Sequence, residues 1–133
     1  MPHVDVNKPD DGGVTALMWA VRNKDTHCAG QLLGAPGIDI NAANKYGATA
    51  LMFAARRGHK DCVQSLLAAP GIDVNAANKY GTTALIWAAG GGHKDCVNSL
   101  LSVPNIDVNA TDNDGDSALV CAANYGNTSC VKA

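Results

Sequence analysis

Two consecutive stretches of this chain have nearly the same sequence. Residues 36–69 read PGIDINAANKYGATALMFAARRGHKDCVQSLLAA, and residues 70–103 read PGIDVNAANKYGTTALIWAAGGGHKDCVNSLLSV. The two stretches are identical at 25 of 34 positions. Self-similarity at a fixed period of about 20–50 residues is the signature of a repeat architecture. This pair of stretches therefore predicts a repeat architecture.

The same register extends in both directions from these two stretches. A glycine recurs every 34 residues, at Gly13, Gly47, Gly81 and Gly115. The first residues follow it too, since residues 2–7 read PHVDVN where residues 36–41 read PGIDIN. We predict a single domain, 1–133, made of four repeats. Their approximate bounds are 2–35, 36–69, 70–103 and 104–133, the last being incomplete.

The second unit begins with the pattern of a short helix. Residues 50–57 are mostly good helix formers, and the hydroxyl of Thr49 is placed to cap the first turn. Leu51, Ala54 and Ala55 have the spacing i, i+3, i+4, which predicts one buried stripe. We expect this stripe to face the neighbouring unit.

A second helix and an extended arm complete the unit. Gly58 ends the first helix, and residues 60–68 form the second. Pro70 and Gly71 stop that helix, and residues 72–81 lack a helical period and indicate an extended arm with a tight turn. Helices shorter than about 12 residues are marginal in water, so the units must be stabilised by stacking on one another.

The third unit carries a longer and more specific motif. Residues 81–93 read GTTALIWAAGGGH, and Val97, Leu100, Leu101 and residues 108–110 (VNA) follow. This motif resembles that of the ankyrin repeat family, in which Pro and His are usual where this unit has Ala84 and Ile86. The resemblance covers essentially the whole chain. It implies an all-α ankyrin repeat solenoid of stacked helix-turn-helix units with protruding β-turn or hairpin fingers.

Composition and charge exclude several classes of function. The 133 residues carry a formal net charge of −2, which provides no broad basic field for nucleic acid or an anionic membrane. No secretory leader and no apolar run of about 20 residues are visible. Five cysteines without a secretion signal favour a reducing, cytoplasmic location. We expect no cofactor, no nucleic-acid or membrane partner, and a monomer.

Histidine and cysteine recur together, at His59 with Cys62 and at His93 with Cys96. Imidazole and thiolate are both zinc ligands, but a tetrahedral site needs four ligands and each unit supplies at most two. By resemblance, the histidine fixes a turn and the cysteine faces the core. Equivalent residues of stacked helices lie about 8–10 Å apart, beyond the roughly 7 Å limit between the Cα atoms of a disulfide. We therefore predict free thiols in the column Cys28, Cys62, Cys96 and Cys130.

Two further columns of equivalent residues admit a functional interpretation. One repeat position is occupied by Trp19, Phe53, Trp87 and Cys121. Such a column is either a ligand slot or part of the core, and we predict the core. By resemblance, Asn41, Asn75 and Asn109 fall where ankyrin repeats are hydroxylated by asparaginyl hydroxylases, a modification that depends on the host.

The resemblance also implies where a partner would bind. In the ankyrin family the turn tips and the first helices line a concave face that contacts partners. The matching positions chosen as candidates are Lys45, Tyr46, Arg56, Arg57, Lys79, Tyr80, Thr82, Asn113, Asp114 and Tyr125. Tyrosine and arginine are enriched at interface hot spots, so Tyr46, Tyr80, Arg56 and Arg57 rank first.

The sequence thus favours a non-enzymatic protein–protein interaction module that binds another protein on its concave face. Two alternatives stay open. The chain could be a structural spacer within a longer ankyrin array, or a metal or redox protein that uses the histidine and cysteine positions. The second alternative is the weakest, because the recurring residues are explained by the repeat itself.

Overall fold

The computed structural model describes residues 5–124, and helices alternate there with turns and extended arms. The helices are α1 (Ala16–Arg22), α2 (Thr26–Leu33), α3 (Ala50–Arg57), α4 (Lys60–Leu67), α5 (Ala84–Gly90), α6 (Lys94–Leu101) and α7 (Ala118–Asn124). None of these helices has the length and apolar character needed to cross a bilayer. The extended arms of the described range form no sheet, only two isolated antiparallel bridges, Ala77–Thr83 and Thr111–Ser117. The fold is all-α, as predicted.

Each first helix begins at a hydroxyl that caps its first turn. The Thr49 hydroxyl accepts a hydrogen bond from the N–H of Met52 at 3.4 Å, and Thr83 caps α5 in the same way at 3.2 Å. The bounds predicted for α3 are confirmed. Helix α4 ends at Leu67, one residue before the predicted end, because Ala68 serves as its C-cap.

The units stack through two parallel rows of helices. Helices α1, α3, α5 and α7 pack consecutively against one another, and so do α2, α4 and α6. The predicted stripe of Leu51, Ala54 and Ala55 is buried to 1% exposure or less. The small alanine side chains let neighbouring helices approach closely, so the core runs along the stack between the two rows.

Asparagine side chains bridge successive units on the extended arms. Asn41 donates from Nδ2 to the Gly71 carbonyl at 2.8 Å and accepts at Oδ1 from the N–H of Asp73 at 2.8 Å. Asn7 and Asn75 make the same pair of bonds to their own following units. One amide thus fixes the spacing between each unit and the next.

The tight turns form a row of fingers beside the first helices. We call residues 10–14, 44–48, 78–82 and 112–116 fingers one to four; in each, the N–H of the first residue donates to the carbonyl of the last. The Tyr46 carbonyl accepts from the N–H of Lys79, and the Tyr80 carbonyl from the N–H of Asn113, both at 2.9 Å. A Cβ at Gly47, whose φ is +79°, would lie 3.1 Å from the Asn78 Cα. The fingers are therefore closely packed and held in a fixed order.

Candidate functional site

A cavity of about 390 Å³ opens between fingers two and three and helices α3 and α5. We call the surface around it the finger–helix groove. Its lining residues are Asn44, Tyr46, Ala48, Met52, Phe53, Arg56, Asn78, Tyr80 and Trp87. The lining combines four aromatic rings with one cation and no carboxylate. Its volume lies within the range of about 300–1,000 Å³ that is usual for ligand sites.

A second cavity, of about 320 Å³, continues the groove toward finger four. Its lining residues are Arg56, Thr82, Ile86, Trp87, Gly90, Gly91, Asp112 and Cys121. Arg56 and Trp87 belong to both linings, and the Arg56 guanidinium carbon lies 4.8 Å from the centroid of the Trp87 ring. This cation–π pair therefore stands where the two cavities meet.

Lysines and tyrosines pair at the rim of the groove. The Lys79 Nζ lies 4.5 Å from the centroid of the Tyr46 ring and 5.1 Å from that of Tyr80. The Lys45 Nζ lies 5.1 Å from the Tyr46 centroid. Two ammonium groups therefore converge on one ring, and Tyr46 and Tyr80 remain 44% and 56% exposed. The rim offers positive charge and aromatic surface together.

Two asparagine amides contribute donors to the same groove. Asn44 Oδ1 accepts from the backbone N–H groups of Tyr46 and Ala48, which fixes the finger and orients the amide. Asn78 Oδ1 does the same for Tyr80 and Thr82. Within the described range neither Nδ2 group donates to a protein atom. Both are available to an acceptor brought by a ligand.

The structure brings part of the predicted site together. Tyr46, Arg56 and Tyr80 line the first cavity, and Thr82 lines the second. Lys45 and Lys79 lie at the rim over the tyrosine rings. Arg57, Asn113 and Asp114 are exposed but line neither cavity. Tyr125 lies outside the described residues.

The prediction that the aromatic column belongs to the core is wrong for Trp19 and holds only in part for Phe53 and Trp87, which pack against the core but also line the first cavity. Trp19 is 43% exposed, and Phe53 and Trp87 are half-buried against the groove, whereas Cys121 is buried. Phe53 follows Leu51 by two residues, which places it about 200° around the helix from the stacking face. The sequence signal that finds these residues is the aromatic column itself.

The described cysteines are free thiols, as predicted, but they differ in burial. Cys62, Cys96 and Cys121 are buried, and burial is the main cause that raises the pKa of each thiol. Cys28 is exposed, so the prediction of a core position is wrong there. Each of the second helices α4 and α6 packs against the second helix of the unit before it. Helix α2 is the first helix of this row in the described range, so no such helix covers Cys28. Cys130 lies outside the described residues.

One cluster near finger four has the residue types of a metal site. Ligand atoms of Asp112, Asp116 and Cys121 lie within 4.8 Å of one another. Asp112 Oδ1 already accepts the backbone N–H groups of Asp114 and Asp116, so its position is explained by the turn. Burial and the two carboxylates raise the pKa of Cys121, which favours a protonated thiol, a poor ligand.

Comparison with known proteins agrees with the geometry of the fold. A family model described as "Ankyrin repeats (3 copies)" matches residues 1–78 and again residues 71–133. No curated protein matches the chain. The two matches overlap and together span the sequence, in accordance with the capped helix pairs and the row of fingers. This chain belongs to the ankyrin repeat family.

Proposed function

We propose that this chain is a non-enzymatic module that binds a partner protein on its concave face, in the finger–helix groove. Ankyrin repeats are generally protein–protein interaction modules and typically not enzymes. Because one fold carries many functions, the proposal rests on the groove rather than on the family. The observation that carries it is the cavity between fingers two and three, with its aromatic and cationic lining.

The groove has the composition of an interaction hot spot. Tyrosine, tryptophan and arginine dominate measured hot spots, and they concentrate in well-packed pockets that exclude water. Tyr46, Tyr80, Trp87 and Arg56 supply these types around one cavity. Exposed aromatic surface that is clustered in this way typically marks a binding site, whereas single exposed apolar residues do not.

The proposal also concerns the setting of the protein. Free thiols at Cys28, Cys62, Cys96 and Cys121 suit a reducing compartment, so we propose a cytoplasmic location. We also propose that the protein is a monomer of four repeats. The roughly neutral net charge favours a protein partner over nucleic acid or a membrane surface.

The test is recovery of a partner from the native cell lysate by affinity capture, read by mass spectrometry. The wild type is compared with a groove variant, Tyr46→Ala/Arg56→Ala/Tyr80→Ala. A matched control variant, Lys60→Ala/Gln64→Ala/Lys94→Ala, changes three exposed residues on the second helices. We expect the groove variant alone to lose the partner. Equal recovery of one partner by all three chains would mean that the partner binds outside the groove, and no specific partner for any chain would favour the spacer interpretation.

A further inference from the structure

We propose that the finger–helix groove receives a short acidic segment of the partner, with one bulky apolar side chain seated in the 390 Å³ cavity. This inference rests on the proposed function and specifies the chemistry of its partner. Four features carry it: the charges at the rim, the free donors, the apolar floor, and the acidic residues on both sides.

The positive charge at the rim is uncompensated within the part of the chain that the structure describes. Lys45, Arg56 and Lys79 form no ion pair with a carboxylate among residues 5–124. The two lysine ammonium groups both lie within about 5 Å of the Tyr46 centroid, so they repel one another. A carboxylate of the partner within reach of both ammonium groups offsets that repulsion, which favours an anionic ligand.

The free polar side chains of the groove point to the same ligand. The lysine and arginine groups only donate hydrogen bonds, and so do the Nδ2 groups of Asn44 and Asn78. Asn44 and Asn78 stand one repeat apart along the groove. An extended acidic peptide carries matching acceptors in its carboxylates and in its backbone carbonyls.

The floor of the cavity is apolar. Phe53, Trp87, Ala48 and the nearly inaccessible Met52 lie beneath the rim. Aromatic and aliphatic surfaces of this kind bind a side chain by burying it away from water. The geometry therefore requires one large aliphatic or aromatic residue within the acidic segment.

Acidic residues limit the attractive region at both ends. Finger one carries Asp10 and Asp11, and finger four carries Asp112, Asp114 and Asp116. The positive stretch is thus about two fingers long, which suits a short segment. A nucleic-acid strand that ran along the fingers would bring its phosphates past these carboxylates, so the observations favour a peptide.

The experiment selects peptides from a random display library with the full chain as bait. Selected peptides are then titrated into the Trp19→Phe variant, whose remaining tryptophan, Trp87, reports binding by its fluorescence. We expect enrichment of Asp and Glu around one large apolar residue, and affinity that falls as salt rises. The Lys45→Ala/Lys79→Ala variant should bind at least about tenfold more weakly. Lys60→Ala/Lys94→Ala, which removes two exposed cations on the second helices, is the matched control and should change little.

Each contrary outcome has its own meaning. Peptides that depend on Tyr46 but carry no acidic excess would overturn this inference and leave the proposed function standing. The same holds if no peptide is enriched while a lysate partner still depends on the groove, since that partner presents a folded surface. Tighter binding of an oligo(dT) strand than of any peptide would replace the peptide with nucleic acid. If neither a peptide nor a lysate partner depends on the groove, the proposed function itself is overturned.

Discussion

Lys79 contacts Tyr46 twice. Its backbone N–H donates to the Tyr46 carbonyl at 2.9 Å, and its ammonium group lies 4.5 Å from the centroid of the Tyr46 ring. The first contact holds finger three to finger two, and the second contributes to the charged rim of the groove. Structure and recognition are thus separable at this residue, because a side-chain substitution leaves the backbone bond in place.

The Lys79→Ala variant should therefore remain folded. We expect its free energy of unfolding to fall by only about 0.5–1 kcal/mol, the size of an exposed cation–π contact. Urea denaturation followed by circular dichroism measures this change. A fall in the free energy of unfolding of more than about 2 kcal/mol would show that the Lys79 side chain is needed for the fold itself.

Gly58→Ala should destabilise the protein, whereas Gly30→Ala should not. Gly58 has a φ of +70°, and a Cβ there would overlap the His93 ring. We expect a loss of at least about 1 kcal/mol, from the left-handed backbone alone. Gly30 lies within α2, and a Cβ there would meet no atom within 4 Å. Its replacement should stabilise the protein by about 0.5–1 kcal/mol. Thermal denaturation of both variants shows whether each substitution raises or lowers the stability of the protein.

Asn41→Ala should weaken the stacking of the second and third units. The substitution removes two hydrogen bonds of 2.8 Å that join successive arms, with an expected cost of about 1–2 kcal/mol. Asn98→Ala is the matched control, because Asn98 is exposed on α6 and its side chain makes no hydrogen bond to the described residues. Chemical denaturation of the two variants should differ clearly. Equal stability of the two variants would show that the asparagine bridge does not stabilise the fold.

The thiols should react in an order set by burial. Among the described cysteines, Cys28 is exposed and should be alkylated first, whereas Cys62 and Cys96, each 1% exposed, should react only after local opening. A hydrogen bond to the Asp25 side chain, together with its charge, raises the pKa of Cys28. Asp25→Asn should therefore speed alkylation of Cys28 at neutral pH while keeping a competent helix cap. Timed alkylation with peptide mass mapping measures each rate, and an unchanged Cys28 rate in Asp25→Asn would contradict this account.

Stability should fall as the solution becomes more acidic than the ordinary histidine pKa of 6.5. Burial is the largest cause that lowers the pKa of His59; Lys24, Arg57 and His93 act in the same direction, and the Arg22 backbone opposes them. The unfolded chain then binds a proton before the folded protein does, so protonation favours unfolding. This loss develops between the unfolded and the folded pKa and is absent above the unfolded value.

Denaturation at several pH values between about 5 and 8 measures this slope. In His59→Gln the slope should be smaller than in the wild type, whatever the absolute stability of the variant. His27→Gln, which changes an exposed histidine on α2, is the control. A slope that His59→Gln leaves unaltered would assign the pH dependence to other groups.

Much of the fold could be predicted because each unit repeats its own signals. Thr49 before a run of helix formers and Gly58 after it set the bounds of α3, and the structure has the same bounds. The spacing of Leu51, Ala54 and Ala55 predicted the stacking face correctly. These features are local, so a single unit contains them completely.

The site was harder to predict from the sequence, because it depends on which neighbouring element each face of a helix contacts. Phe53 lies about 200° around α3 from Leu51, so the helical period places it away from the stacking face but does not show what that side of the helix meets. Arg56 and Arg57 are adjacent in sequence, yet only Arg56 lines the cavities. About 100° of helix rotation separates them, and only the position of the fingers shows which side is the groove.

The asparagine bridges join residues 30 and 32 positions apart, and the backbone bonds between fingers, from Lys79 to Tyr46 and from Asn113 to Tyr80, join residues 33 positions apart. All of these separations are close to the length of one unit. An in-frame duplication of 34 codons would therefore copy a unit together with both halves of its connections. The new unit would meet neighbours that already carry the complementary donors and acceptors. Lengthening or shortening this protein by whole units is consequently a small genetic step, and each added unit would extend the row of fingers by one.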